Sequence, residues 1–346
     1  MFYNLGLEKS SPFIFILTNM IDFNKLKEII ENNNSFLLTT HVNPDADAIG
    51  SEIAFYLMLK EIGKEVHILN HSKTPYNLCF LDKYNIIQKY DNSKHNKIFD
   101  RVDVLVALDF NRSNRIVSME EGFINSDKIK ICLDHHPDPE DFFNFIFFDI
   151  DYCSTGQIIY QFIKETNIVE FRKELADNLY AAIMTDTGSF KFEKTTSEIH
   201  IIAADLLEKG VSPTNIYDSI YDKSRFGKLK LLGLTLKSSQ LYGNTNEICF
   251  MKLYQKDFEE CNVDESDTDG FINFSLSING VKIGLLFVEL KNGFKVSFRS
   301  KGNIPINKLA EEYGGGGHRN AAGTRRFNQK LDEQIEEILK RTESYL

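Results

Sequence analysis

Four apolar segments of this chain run directly into aspartate or histidine. Ile129-Lys130-Ile131-Cys132-Leu133 ends in Asp134-His135-His136. Phe36-Leu37-Leu38-Thr39-Thr40 leads into His41-Val42-Asn43-Pro44-Asp45-Ala46-Asp47, and Val104-Leu105-Val106-Ala107-Leu108 into Asp109. A helical stretch closing with Ala181-Ala182-Ile183-Met184-Thr185 delivers Asp186. Carboxylates and imidazoles are hard and borderline ligands for divalent cations, and paired cations are a common apparatus for displacement at phosphorus. The carboxyl ends of buried strands are also where α/β proteins place their ligands.

Within the first loop, Asp45 and Asp47 are sent in different directions, so each can serve a different ion. Pro44 stiffens the backbone before them, and Gly50 with Ser51 would let the next helix start tightly against the sheet. A buried carboxylate at Asp109 is costly unless it is paired or metal-bound. It is the natural bridging ligand, although a helix N-cap would use the same residue beside Asn111 and Ser113. Arg112 and Arg115 could steer a phosphate inward or be ordinary surface arginines. His135 is the better ligand of its pair, with Asp134 orienting a neighbour. His136 would then contact a substrate phosphate or protonate a leaving oxygen.

Far downstream, Gly314-Gly315-Gly316-Gly317-His318-Arg319-Asn320-Ala321-Ala322-Gly323 stands apart. Consecutive glycines let backbone N–H groups approach an anion, and His318 adds a side-chain donor. A flexible loop would have the same composition. No Gly-Lys-Ser/Thr follows, so this is not a P-loop. Arg299, ending the strand Phe294–Phe298, could hold a phosphate or stack on a base.

The elements around these residues alternate. Asp22 caps a helix with a stripe of Leu26, Ile29 and Ile30. Strands are expected at 35–40, 65–69, 103–108 and 129–133. Helices are expected from Ala48 to Gly63, from Ser154 or Thr155 to Thr166, and over 173–184 and 197–209. Short apolar strands between helices argue for a buried parallel sheet. Residues 211–240 read as a basic, largely helical connector. Beyond 241 the pattern becomes α+β, with strands at Ile248–Leu253, Val281–Glu289 and Phe294–Phe298. Helices there are expected over Asp269–Ser277, Asn307–Tyr313 and 329–345.

With 346 residues, 42% hydrophobic and 26% charged, the chain suits two globular domains. Its net charge of −10 argues against wrapping duplex DNA, but not against a short anionic substrate at a cation-filled site. The five cysteines form no CxxC pair, which suits a reducing cytoplasm. No segment reaches the ~20 apolar residues needed to span a membrane. Met20, directly before the first helix, reads as the natural start, with residues 1–19 an appendage.

Taken together, His41-x-x-Pro44-Asp45-x-Asp47-Ala48-x-Gly50-Ser51, Asp109, Asp134-His135-His136 and Asp186-Thr187-Gly188 resemble the four motifs of the DHH phosphoesterase superfamily. Gly315-Gly316-Gly317-His318 with Ala321-Ala322-Gly323 resembles the signature of its companion DHHA1 domain. Order and spacing are similar to the two-domain branch of nano-RNase/pAp phosphatases and cyclic- or linear-dinucleotide phosphodiesterases. Ala46 stands where a glycine is common, and four glycines stand in place of three.

The resemblance implies an α/β catalytic DHH domain over 20–210, with a parallel sheet and helices on both faces. A helical linker over 211–240 and a smaller α+β DHHA1 domain over 241–346 would follow, with the active site in the cleft between them. Two Mn²⁺ (or Mg²⁺) would be held by His41, Asp45, Asp109 and Asp186 and by Asp47, Asp109, His135 and Asp186. Asp109, Asp134 and His136 would be catalytic, and Arg299, Gly315, Gly316, Gly317, His318, Arg112 and Arg115 would hold the substrate.

The implied activity is two-metal hydrolysis of oligoribonucleotides of about 2–5 nucleotides, together with pAp dephosphorylation; the two-metal scheme is the general one for phosphoryl displacement. Implied partners are short single-stranded RNA or small nucleotides, with no duplex DNA and no membrane, and a homodimer stays open. Cyclic di-AMP or pApA cleavage is the close alternative, and a non-catalytic nucleotide sensor the remote one.

Overall fold

The computed structural model describes residues 21–346; the expected start at Met20 lies outside them. The first body is a six-stranded sheet. Its strands are β1 (Ser35–Thr40), β2 (Glu65–Asn70), β3 (Ile87–Lys89), β4 (Val104–Leu108), β5 (Ile129–Asp134) and β6 (Phe145–Phe148). All neighbours are parallel, in the order β3-β2-β1-β4-β5-β6. Parallel strands need crossovers, so helices cover both faces. Phe36, Leu38, Val106 and Leu133 pack under the helices Phe23–Asn32, Ala46–Glu61, Thr155–Thr166 and Lys173–Asp186. Leu37, Leu105, Ala107 and Cys132 face Phe99, Ile116 and Phe123 on the other side. The strand order reverses between β1 and β4, and a crevice opens there at the carboxyl edge.

The second body is a mixed sheet. It comprises β7 (Gln240–Tyr242), β8 (Ile248–Leu253), β9 (Ile283–Leu290), β10 (Gly293–Ser300), β11 (Gly316–His318) and β12 (Ala321–Phe327), in the order β11-β12-β10-β9-β8-β7. Only β8 and β9 are parallel. The helices Ile306–Glu312 and Leu331–Glu343 cover one face through Leu309, Ile338 and Leu339. Across the connector, Ile216 and Ile220 of the Pro213–Tyr221 helix join the first core. Leu231 of the Phe226–Lys237 helix is buried in the second. The chain therefore changes body over residues 222–225.

Several elements differ from expectation. The second helix begins at Ala46, two residues early, because the Asp45 carboxylate accepts from the amides of Asp47 (3.0 Å) and Ala48 (3.1 Å) and caps it there. Gly50 packs helix on helix and not on the sheet: a Cβ there would lie 2.6 Å from the carbonyl oxygen of Asn178. Residues 269–277 are not one helix: a 3₁₀ turn, Glu265–Thr268, precedes them, and within them only the single turn Asn273–Leu276 is helical. The glycine run is not a free loop. Gly316–His318 pairs with Ala321–Gly323 as an edge strand. Among the described residues no helix is long and apolar enough to cross a membrane, and all five cysteines are free thiols.

Candidate metal centre and substrate cleft

The carboxyl ends of β1, β4 and β5 place His41, Asp109 and Asp134-His135-His136 along the crevice. The helix starting at Ala46 brings Asp47 to it, and the helix ending at Asp186 brings Asp186. His41 Nε2 lies 3.3 Å from Asp109 Oδ2. His135 Nε2 lies 3.3 Å from Asp186 Oδ2, 3.5 Å from Asp109 Oδ1 and 3.8 Å from Asp47 Oδ2. Ligand atoms of His41, Asp45 and Asp109 all lie within 4.8 Å of one another, as do those of Asp47, His135 and Asp186.

Backbone carbonyls fix both imidazoles. His41 Nδ1 faces the Val42 oxygen at 3.0 Å and His135 Nδ1 the Tyr152 oxygen at 3.4 Å. A carbonyl only accepts, so each Nδ1 carries the proton and each Nε2 points toward the carboxylates. Asp134 does not orient His135 in this way. Its Oδ1 accepts from the His135 amide (2.8 Å) and from His136 Nδ1 (2.7 Å), so the carboxylate steers His136.

Asp47 sits in a cradle that the sequence did not disclose. Its Oδ1 accepts from Gly156 N (2.9 Å) and Ser51 Oγ (3.1 Å), and its Oδ2 from Thr155 N (2.8 Å). Thr155 and Gly156 open a helix, whose N-terminal amides and dipole favour an anion. Thr155 Oγ1 also donates to Asp109 Oδ1 at 3.1 Å. Close helix packing makes this reach feasible, since a Cβ on Gly156 would meet the Ala182 side chain at 2.5 Å. Ser-Thr-Gly at a helix start was the available signal; Ser154 reads from sequence only as a cap, which it is. Asp109 itself takes a left-handed backbone, φ 64°, which aspartate tolerates better than most residues and which is common at functional sites.

Charge in the cluster is unbalanced. Burial and the carboxylates of Asp109 and Asp186 push Asp47 well above the usual carboxylate range. Burial pushes Asp186 up to about 6, with Asp45 and Asp109 adding and His135 opposing. Burial also works against the charge on Asp109, but hydrogen bonds with His135 and His41 hold it well below the usual range. Burial disfavours an imidazolium at His135, yet Asp109, Asp186 and Asp47 raise it to about 10. A neutral His135 would aim its Nε2 lone pair at three carboxylates. Either a second proton or a cation must sit there, and a hard-to-borderline O/N donor set suits a divalent cation. The residues present therefore fit a metal.

The second body closes the cleft. The His318 ring lies on His136 with centroids 4.3 Å apart, and 5.2 Å from His135. Burial, then His136, His135 and Lys194, hold His318 well below the usual imidazole range, so it is neutral. Of the glycines, Gly315 and Gly317 are forced by packing on β12, where a Cβ would meet the Gly323 oxygen at 2.1 Å and the Ala321 oxygen at 2.5 Å. Gly316 faces open space. Arg299 is partly buried, with Nη1 on the Phe298 carbonyl at 3.0 Å. Arg115 is exposed and its carbonyl accepts from Val42 N at 2.7 Å, beside His41. Arg112 turns outward to Asp138, 3.7 Å away. Lys194, whose surrounding sequence carries no signal, donates to the Tyr152 carbonyl at 2.9 Å.

Residues 35–183 match the DHH family, N-terminal domain, and residues 249–346 the DHHA1 domain. The chain is 31% identical over 304 residues to the bifunctional oligoribonuclease and PAP phosphatase NrnA of Thermus thermophilus, covering 87% of each chain. It is 27% identical over 292 residues to the protein of the same name from Bacillus subtilis, covering 84% of this chain and 88% of that one. The crystal structure of an exopolyphosphatase-related protein from Bacteroides fragilis superposes with a TM-score of 0.85 at 30% identity. That match covers 93% of this chain and 96% of the other.

Proposed function

The chain belongs to the DHH family and carries a DHHA1 domain, and on that premise we propose that it hydrolyses short oligoribonucleotides to mononucleotides and pAp to AMP and phosphate. The observation that carries this reading is the meeting of two bodies over one carboxylate cluster, with His318 stacked on His136. Relatives named oligoribonuclease and PAP phosphatase match along nearly the whole chain, not one domain alone.

His41, Asp45, Asp47, Asp109, His135 and Asp186 would hold two divalent cations, Mn²⁺ or Mg²⁺, with Asp109 shared. When bound, such ions neutralise charge developing on phosphorus and its attacking and leaving oxygens. The protein's own groups do the rest. Asp134 holds the proton on His136 Nδ1, which leaves the Nε2 lone pair facing the cleft, where it can take a proton from the attacking water and, as the imidazolium so formed, return it to a leaving oxygen. Neutral His318 can hydrogen-bond a phosphate oxygen from the other wall, and the open backbone at Gly316 lets an anion approach. Arg299 would meet a base or terminal phosphate, and Arg115 would draw anions toward His41. Two walls this close favour very short substrates, and the net charge of −10 disfavours duplex DNA. A reducing, cytoplasmic setting suits five free thiols.

The test is a timed reaction in Mn²⁺ on a ribodinucleotide, a 24-mer RNA, pAp and cyclic di-AMP at equal concentration. Rapid mononucleotide release from the dimer, slow attack on the 24-mer and turnover of pAp are expected. Preference for cyclic di-AMP would replace this reading with second-messenger turnover, and inactivity on all four would overturn it.

A further inference from the structure

Lys194 occupies a position that the metal scheme does not use. Its ammonium donates to the Tyr152 carbonyl at 2.9 Å, and that carbonyl also faces His135 Nδ1 at 3.4 Å. Lys194 and His135 thus share one acceptor at the Nδ1 edge of the ring, while the Nε2 edge faces Asp109 and Asp186. The ammonium therefore neighbours a residue of the cluster through a shared carbonyl, and Asp186 is the first charge that acts on it. Among the described residues no carboxylate comes within 4.0 Å of its Nζ. Its charge is felt by Asp186 on one wall of the cleft and by His318 on the other. Asp149 and Asp151 act on it from farther along its own wall. The side chain is solvent-accessible; one N–H donates to the Tyr152 carbonyl, and among the described residues its other N–H bonds have no partner and are open to a ligand.

We propose that Lys194 binds a second, non-scissile phosphate of the substrate, making the enzyme selective for short nucleotides that carry a terminal phosphate besides the one being cleaved. A point charge with rotatable donors suits a phosphate monoester, whose charge exceeds that of a bridging diester. Its offset from the metal centre assigns it to the neighbouring phosphate and not to the reacting one. The idea rests on the proposed nucleotide-hydrolase reading, and it deepens that reading by naming what the cleft prefers to hold.

The test compares pApA with ApA, which share a scissile bond and differ only by the 5′-phosphate. For Lys194→Gln, the ratio of kcat/KM for pApA over that for ApA should fall roughly tenfold, the usual cost of one charge-assisted hydrogen bond. Lys194→Arg should keep most of the ratio. A parallel calorimetric titration with AMP and adenosine, in Ca²⁺ to suppress turnover, should show weaker AMP binding in Lys194→Gln with adenosine binding unaltered. An unchanged ratio and unchanged AMP affinity would overturn the proposal. An equal loss on both dinucleotides would also overturn it, and would mean that Lys194 acts only by steadying the Tyr152 carbonyl behind His135. If the wild type cleaves neither dinucleotide, the hydrolase reading fails, and the titration alone decides whether Lys194 reads a phosphate.

Discussion

His136, at the end of β5, and His318, at the end of β11, stack with ring centroids 4.3 Å apart and planes 24° from parallel, although they belong to different sheets. This contact joins the carboxylate cluster to the glycine-rich edge strand. His318→Ala should therefore lower kcat/KM on a dinucleotide by roughly 100-fold, as loss of one hydrogen-bond donor to a reacting phosphate does. Metal affinity should not change. Steady-state kinetics with a parallel Mn²⁺ titration checks both halves.

Asp109 belongs to the ligand group of His41 and Asp45 and reaches His135 of the other group at 3.5 Å, which is the basis for its proposed bridging role. Asp109→Asn keeps a side chain that tolerates φ 64° but removes the charge. Turnover should fall at least roughly 1,000-fold, and Mn²⁺ should no longer raise the melting temperature. In chelator, the variant should melt lower than wild type at neutral pH, because the fold favours the ionised Asp109 that His41 and His135 contact. A variant that still shows normal metal-induced stabilisation would sink the bridging role.

Glu52 supplies a pH signature away from the ligands. It is fully buried, Oε2 accepts from Asn70 Nδ2 at 2.7 Å, and Oε1 has no partner among the described residues. Burial pushes its carboxyl well above the usual range. The unfolded chain gives up this proton at about pH 4.3, while the folded chain keeps it to higher pH. Its contribution is fully present below that unfolded value, falls as pH rises past it, and is gone once pH passes the folded value. Glu52→Gln should abolish the decline, so the stability difference between variant and wild type should move in the variant's favour as pH rises. Urea melts of the metal-free protein at several pH values would show this; parallel curves would refute it.

Gly50→Ala should cost about 1–3 kcal/mol by overpacking, since the added methyl meets a backbone carbonyl at 2.6 Å. Activity should fall with it, because the two helices forced apart carry Asp47 and Asp186. Chemical denaturation measures the first effect and a dinucleotide assay the second.

The ligand-bearing ends of β1, β4 and β5 were legible because each is a local signal: a short run buried on both faces, then a polar residue. The cradle around Asp47 was not legible, since Thr155 and Gly156 lie 108 and 109 residues away and only the tertiary fold brings them in. The edge strand β11 and the start of β12 were hidden by composition, because glycine and alanine are poor strand formers and pairing alone makes them one. Gly50 reads in sequence as a close-packing position, but a sequence does not say that the crowding neighbour is the helix carrying Asn178 and Ala182. For the same reason the partner of Asp134 proved to be His136: both histidines were candidates, and the turn after β5 chose between them.

Ile220 belongs to one core and Leu231 to the other, with only residues 222–225 passing between the bodies. Each half buries its own apolar surface and can act as its own cooperative unit. Binding energy from a cation held at β1, β4 and β5 would enter the melting equilibrium of the first half alone. In calorimetry the two transitions should then move apart as metal is added, with the later one belonging to the half that holds the ions.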